Sequence, residues 1–335
     1  MQIEEHIPLA PLTTFQIGGS ARFFARATSV EEIKEAISFA KNQRVKVFIL
    51  GGGSNVLIDD AGFEGMVLKI ELRGVEEEGN TLIAAAGESW DAFVEQAVTK
   101  NLWGIENLSG IPGTVGGAVV QNIGAYGQAL SQTLEWAEVF DIQTGKTERL
   151  SKEKLRFGYR GSLFKQEEGR YVVLKAAFEL NPAAAPTTAY KDLNARFEGQ
   201  NPAIADIRAA VLEIRANKFP DLTVEGTAGS FFKNPILSKA DAERLQQQYP
   251  NMPTFVLPES DKIKIPLGWF LDYRHGVMDL RNVHIGGARM YEKQFLVLTA
   301  ERNTSSADVK KLSSYVQEEI RTLLNIDIEP EVKIV

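Results

Sequence analysis

Apolar residues recur along this chain with two periods, and the elements they predict alternate between helix and strand. Over 29–42 the stripe Ile33, Ala36, Ile37 and Ala40 repeats at three- and four-residue steps, as one face of a helix does. Ser29 stands just before it with Glu32 three residues on, the pattern of a capping box, so the helix is expected to start there. The next run, VKVFIL at 45–50, is continuously apolar and predicts a buried strand. Further strands are expected at 66–72, 81–86, 135–142, 147–150, 171–180 and 295–299, with a turn at Thr144-Gly145 joining the third and fourth. Helical spacing returns at 89–101, where Phe93, Val94, Ala97 and Val98 share a side. It returns again after Asn201 as cap and Pro202 in the first turn, with Ile204, Ile207, Val211 and Ile214 inward. Helices are also expected at 238–249 and at 306–324, the latter burying Val309, Leu312, Val316, Ile320 and Leu323. Pro220 and Asp221 mark a domain boundary, and Pro250, Pro253 and Pro258 a proline-rich connection.

Between these elements lies a stretch of another kind, SGIPGTVGGAVVQNIGAYG at 109–127, with six glycines, one proline and no charge. Glycine lets backbone amides approach a ligand closely and reach positive φ, and converging amides make anion-binding hollows. Ile111, Val115, Val119, Val120 and Ile123 add apolar surface among the glycines. The combination suits a ligand with a flat apolar ring and a phosphate. It equally suits a buried strand–turn–strand in which backbones pack closely.

A second glycine cluster follows the 45–50 strand directly: Gly51-Gly52-Gly53-Ser54-Asn55, then Val56-Leu57-Ile58. It is not a Rossmann fingerprint, because no third glycine completes G-x-G-x-x-G and the next residues are β-like. It reads either as a diphosphate-binding loop or as a tight turn. Gly145-Lys146-Thr147 resembles the end of a P-loop, but Phe140 stands where that motif needs its first glycine. Two other stretches are unusual: FGYRGSLFK at 157–165, and GTAGSFFKNP at 226–235 with a serine between glycine and two phenylalanines. The acids Glu329 and Glu331 near the C-terminus fit a solvated strand edge as well as a catalytic pair.

Composition narrows the chemistry. The 335 residues allow two or three domains, and 44% apolar with 24% charged residues is ordinary for a globular protein. A net charge of −7 argues against nucleic acid as a partner. There is no cysteine, and His6, His275 and His284 do not form a metal-ligand pattern, so redox chemistry is expected to belong to an organic cofactor, with no metal. The opening MQIEEHIPLA has no signal-peptide pattern and no apolar run reaches the ~18 residues of a membrane span, so a cytoplasmic protein without membrane insertion is expected. On these grounds alone the chain is an α/β protein with a nucleotide-like ligand.

The motifs carry the reading further. GGGSNVLI, SGIPGTVGGAVVQNIGAYG, FGYRGSLFK, AGSFFKNP and EPEV occur in this order at intervals that resemble the UDP-N-acetylenolpyruvoylglucosamine reductases, also called UDP-N-acetylmuramate dehydrogenases. The likeness spans nearly the whole chain. It implies an α+β fold: an FAD-binding domain of two α+β subdomains, like the vanillyl-alcohol-oxidase enzymes, plus a smaller α+β substrate domain. The expected division is 1–68 with 326–335, then 69–219, then 220–325. The cofactors implied are non-covalent FAD and NADPH as hydride donor, and the substrate is UDP-N-acetylglucosamine enolpyruvate, reduced during peptidoglycan synthesis. Covalent flavin attachment has no candidate, since the glycine-rich motifs hold neither Cys nor His.

By the same resemblance FAD would be held by Gly51, Gly52, Gly53, Ser54, Asn55, Gly110, Ile111, Pro112, Gly113, Thr114, Gly117, Gln121, Asn122, Ile123, Gly124 and Arg215. Arg160 would bind the substrate carboxylate, Glu331 would donate a proton to it, and Ser230 would protonate the carbanion left by hydride addition. Substrate contacts would come from Tyr126, Tyr159, Tyr190, Lys218, Asn234, Arg281 and Gln294. Tyr190 lies in TTAYKDL, the segment that one of the family's two types carries as a loop over the UDP moiety. Two features depart from the pattern: Gly161 stands where Asp usually follows Tyr-Arg, and the segment 273–282 is longer than expected. Other readings remain at this level, among them a flavin oxidase acting on an alcohol and a non-catalytic nucleotide-binding protein.

Overall fold

In the computed structural model the described residues are 1–257 and 261–335, so Pro258 of the expected connection lies outside them. The chain divides into two compact units, each described here by itself. The first comprises Met1–Pro8, Ser20–Gly53 and Phe63–Asn217, the second Leu9–Gly19, Ser54–Gly62 and Lys218–Val335.

The first unit holds two sheets. One has four strands in the order Ile3–Pro8, Ser20–Ala27, Phe63–Ile70, Val47–Leu50. Phe63–Ile70 lies inside and pairs parallel with both neighbours. Met66, Val67 and Leu68 are all fully buried, as expected of a strand covered on both faces. The helix Val30–Gln43 buries Ile33, Ala36, Ile37 and Ala40 as its spacing predicted. Its cap differs in one detail. Ser29 accepts from the Glu32 amide, but Glu32 turns its own carboxylate to the Thr28 amide at 2.7 Å and hydroxyl at 2.8 Å.

The other sheet has five antiparallel strands in the order Lys146–Ser151, Leu134–Asp141, Tyr171–Glu179, Thr81–Ala85, Val75–Glu78. The helix Trp90–Thr99 contributes Trp90 and Phe93, whose rings pack with Phe178 at centroid distances of 5.1–5.8 Å. Each such buried ring contributes roughly 1.5–3 kcal/mol through removal from water. The Trp90 indole also donates to the Leu108 carbonyl at 3.0 Å, which fixes the chain just before the long glycine-rich stretch.

That stretch corrects the strand–turn–strand expectation, because Val115–Gln121 is a helix capped by Thr114. A capping threonine starts the helix, and glycine lets it approach the turn that follows the strand Thr81–Ala85. A Cβ on Gly116 would lie 2.9 Å from the Ala86 Cβ. A second correction concerns the later helix, which begins at Ile204. Asn201 is not its cap; Asp206 reaches back instead to the Ala203 amide at 3.0 Å.

The second unit contains two three-stranded sheets and the long helix Ser306–Leu324. One sheet orders Ile236–Ser238, Lys262–Lys264, Phe255–Val256; the other orders His284–Ile285, Ala288–Met290, Leu298–Ala300. The strand expected at 295–299 is thus regular only from Leu298. Leu324 is fully buried while Leu323 is 37% exposed, so the apolar stripe ends one residue later than its spacing suggested. The final strand Lys333–Ile334 pairs parallel with Val56–Leu57, joining the end of the chain to the segment after the first glycine cluster. Among the described residues no helix is long and apolar enough to cross a membrane.

Candidate active site

Within the first unit the two glycine-rich stretches, distant in sequence, meet main chain to main chain. A Cβ on Gly52 would lie 2.6 Å from Gly113 Cα, and one on Gly51 would lie 2.8 Å from Thr114 Oγ1. Gly53, Gly110 and Gly113 adopt φ of 66°, 70° and 123°, where other residues are strained. Gly117 is exposed, and a Cβ there would meet only Thr114 Oγ1, at 3.5 Å. Three amides of the helix start are already used inside the fold: Val115 donates to Glu88 O, Gly116 to Ala86 O and Gly117 to Thr114 Oγ1. What the stretch offers a ligand therefore lies on the glycine-bearing loops leading into the helix, not on the helix start. A surface of this kind fits the diphosphate and flat ring system of a dinucleotide cofactor.

Gly110 is gripped from both of its polar atoms. Its amide donates to Asp91 Oδ1 at 2.6 Å, and its carbonyl accepts from Arg215 Nε at 3.0 Å. Arg208 forks onto the same Asp91 at 2.6 and 3.0 Å. Burial works hardest on the Asp91 carboxyl and would raise its pKa, but the bonds from Arg208 and Gly110 and the charges of Arg208 and Arg215 together hold it below the ordinary value. Burial draws the Arg215 guanidinium down, and its neighbour Tyr126 partly restores it.

Tyr126 is 7% exposed and sits at φ 48°, in the left-handed region. Burial, reinforced by Tyr190 and Asp192 and opposed by Arg215, pushes its phenol up to about 12. The phenol therefore stays protonated at neutral pH and able to donate. The Tyr190 ring meets it edge-on at 5.4 Å, just ahead of the helix Lys191–Phe197, and Tyr190 is 45% exposed. Below this pair, Asn107 donates to the carbonyls of Tyr126 and Thr187, both at 2.8 Å.

Arg160 occupies a two-residue hairpin. Gly158 and Gly161 exchange both backbone hydrogen bonds, at 3.0 and 3.1 Å, with Tyr159 and Arg160 at the tip. Arg160 has φ 53°, a conformation that costs about 1–2 kcal/mol in a residue with a side chain. Its guanidinium donates to Gly124 O at 2.8 Å, and Asn122 ties the hairpin down by donating to Gly158 O at 2.8 Å. Charge-assisted bonds contribute roughly 1.5–3 kcal/mol, enough to hold the strained residue in place. A Cβ on Gly161 would meet only Tyr159 O, at 3.8 Å, so the missing side chain reflects no crowding.

The second unit collects Ser230, Glu331 and Asn55. Residues 230–232 run as an irregular strand between two others: Ser230 bridges to Val297, Phe231 donates to Leu296 O, and Phe231 O accepts from the Glu331 amide at 2.7 Å. Phe231 and Phe232 are buried, which fixes the Ser230 backbone at the edge of a packed core. Asn55 donates its side-chain amide to Glu331 O at 3.3 Å and accepts from Lys333 N at 3.0 Å. Ser54 belongs to this unit too. Among the expected substrate residues, Asn234 accepts from the Leu267 amide at 3.0 Å, Gln294 O accepts from Val297 N at 2.9 Å, and Lys218 ends the helix Ile204–Lys218. Arg281 is engaged locally: it pairs with Asp279 at 2.7 Å and lies 3.5 Å over the Tyr273 ring, within the segment noted as long.

Sequence reasoning passed over Asp91, Arg208 and Lys165. Arg208 left a signal, an arginine inside the buried stripe Ile204, Ile207, Val211. Asp91 left none, because an acid in a helix's first turn is common.

Residues 21–151 match the family described as an FAD binding domain. Residues 221–335 match the UDP-N-acetylenolpyruvoylglucosamine reductase C-terminal domain. A UDP-N-acetylenolpyruvoylglucosamine reductase of Pseudomonas aeruginosa is 35% identical over 99% of this chain and 98% of its own. One of Neisseria gonorrhoeae is 38% identical over 96% and 94%. The crystal structure of the Thermus caldophilus reductase superposes with a TM-score of 0.71 at 24% identity, covering 100% and 99%, and so shares the fold. Fold and matches together define an FAD-dependent oxidoreductase of α+β build. More narrowly, the chain belongs to the UDP-N-acetylenolpyruvoylglucosamine reductase family.

Proposed function

We propose that this chain reduces the enolpyruvyl group of UDP-N-acetylglucosamine enolpyruvate to UDP-N-acetylmuramate, with non-covalent FAD and NADPH, in the cytoplasm as a step of peptidoglycan synthesis. The observation that carries the reading is the main-chain packing of the Gly51–Gly53 loop against Gly113 and Thr114, which brings the two glycine-rich stretches together. Held by the two glycine-rich stretches, FAD would supply the hydride chemistry that links NADPH to the methylene carbon of the substrate.

The chain's own residues handle charge and proton. Arg160, held over the hairpin, offers a fixed cation to the substrate carboxylate, where negative charge grows as the hydride arrives. Glu331, when protonated, donates to the same carboxylate. Ser230 delivers its proton to the adjacent carbon. A serine hydroxyl is a weak acid, but a carbanion is basic enough to take its proton. The net change is one NADPH and one proton consumed for each double bond reduced.

Gly51, Gly52, Gly53, Ser54, Asn55, 110–114, Gly117 and 121–124 serve the cofactor in this reading, with Arg215 as a cation. Tyr126, Tyr159, Tyr190, Lys218, Asn234, Arg281 and Gln294 serve the substrate. The domain division 1–68 with 326–335, 69–219 and 220–325 belongs to the same proposal. NADPH consumption measured with and without oxygen, and with and without the enolpyruvyl sugar, tests it. Turnover only with the sugar supports the reductase; turnover that needs oxygen and ignores the sugar would make the chain an oxidase.

A further inference from the structure

Lys165 lies on the short helix Leu163–Gln166 that follows the Arg160 hairpin. Its ammonium donates to the Gln121 side-chain oxygen at 2.8 Å and to the Arg160 main-chain carbonyl at 3.2 Å. One cation thus joins the last residue of the glycine-rich helix to the residue at the strained tip of the hairpin. An ammonium has donors and no acceptor, so it selects the oxygen of the Gln121 amide and turns that amide's NH₂ group away from itself. Gln121 is 9% exposed, so the fixed orientation is presented in a largely dry setting.

We propose that Lys165 is a positioning residue: it locks the Arg160 hairpin and the Gln121 amide in one register, so that cofactor and carboxylate sites keep a fixed relation. The other partners of these groups point the same way. Ser162, fully buried, donates to Val120 O at 2.7 Å, Asn122 donates to Gly158 O, and Arg160 donates to Gly124 O, so the hairpin and the glycine-rich stretch are bound at three further points of the same seam. Lys165 is the one of these ties that carries a full charge to the carbonyl of the left-handed residue. It acts through Arg160 and Gln121. The inference rests on the proposed role of Arg160 at the substrate carboxylate.

The test separates the two half-reactions in Lys165→Met, Lys165→Arg and Arg160→Ala, each purified with FAD. Lys165→Met should be reduced by NADPH within threefold of the parent. Its reoxidation by the enolpyruvyl sugar should slow by about tenfold to 10²-fold, the loss expected when an oriented group is misplaced by a fraction of an ångström to an ångström. Lys165→Arg should recover at least half of that loss on a logarithmic scale, since it restores donors to the same oxygens. In the Arg160→Ala background, Lys165→Met should add less than twofold. If Lys165→Met does not hold FAD, Lys165→Gln replaces it in the same comparison. An effect equal in both half-reactions, or undiminished without Arg160, or absent while Arg160→Ala alone is slow, would overturn the positioning role and leave the proposed reaction standing. A normal rate in Arg160→Ala would remove the Arg160 reading and this inference with it.

Discussion

The grip on Gly110 offers a sharp perturbation, Asp91→Asn. Asparagine keeps the shape and an oxygen for the Gly110 amide, but it loses the charge that faces the Arg208 fork. Asp91 accepts three bonds: the two on the retained oxygen weaken by roughly 1 kcal/mol each before screening, and the third, from Arg208 to Oδ2, is lost because the amide NH₂ that replaces that oxygen is a donor. The Asp91 side chain is 36% exposed, so solvent screening cuts the total to about 1–2 kcal/mol. Part of this should appear as looser cofactor binding, because Gly110 is fixed by the same atoms. A share near 1.4 kcal/mol corresponds to a tenfold weaker Kd. Apoprotein titrated with FAD, followed by flavin fluorescence, measures that share, and urea unfolding of the apoprotein measures the rest. The pH dependence has a definite sign. The Asp91 carboxyl is held below its ordinary value in the fold, so its stabilisation is complete above about pH 4 and fades as pH falls through the depressed value. The stability gap between parent and Asp91→Asn should therefore narrow below about pH 4. A Kd for FAD unchanged within twofold, with stability reduced, would refute the link between this clamp and the cofactor.

Other outcomes follow from the same geometry. Gly52→Ala places a Cβ 2.6 Å from the Gly113 main chain, which cannot move aside cheaply; the purified variant should be colourless and should not regain flavin absorbance on adding FAD. The parent should be yellow, and acid precipitation should leave its FAD in the supernatant; flavin retained in the pellet would show a covalent link. Tyr190→Ala removes an exposed ring whose one aromatic contact among the described residues is Tyr126, so substrate KM should rise about tenfold or more while FAD reduction by NADPH stays close to the parent rate. Equal losses in both would place Tyr190 in the support of the flavin-binding unit instead.

Much of the fold was legible because burial enforces period. The helices at 30–43 and 306–324 and the strands at 47–50 and 171–179 lie where the apolar spacing put them. The misses have physical causes. The 109–127 stretch hides a helix, because two glycines in its first turn look like loop, and one of them, Gly116, lets it touch Ala86. The start of the 204–218 helix slipped, because Asp206 caps from inside while Asn201-Pro202 imitates a cap. At the site, the motifs named Arg160, Ser230 and Glu331; the structure sets Arg160 on a strained hairpin and ties the Phe231 carbonyl, next to Ser230, to the Glu331 amide. They did not reveal Asp91, Arg208 or Lys165, whose importance lies in partners far off in sequence. Arg281 is the reverse case, matched by motif yet occupied by Asp279 and Tyr273.

The proposal that hydride and proton arrive by separate routes is tested most directly in a single turnover. Parent and Ser230→Ala are reduced anaerobically with one equivalent of NADPH, then mixed with the enolpyruvyl sugar while flavin absorbance is followed. The account predicts near-equal reduction in both, prompt reoxidation of the parent, and reoxidation of Ser230→Ala slowed by roughly 10²–10⁴-fold, the contribution of a positioned acid. Reoxidation of Ser230→Ala within a few-fold of the parent would contradict it, and Ser230 would then be a turn residue on a packed strand edge.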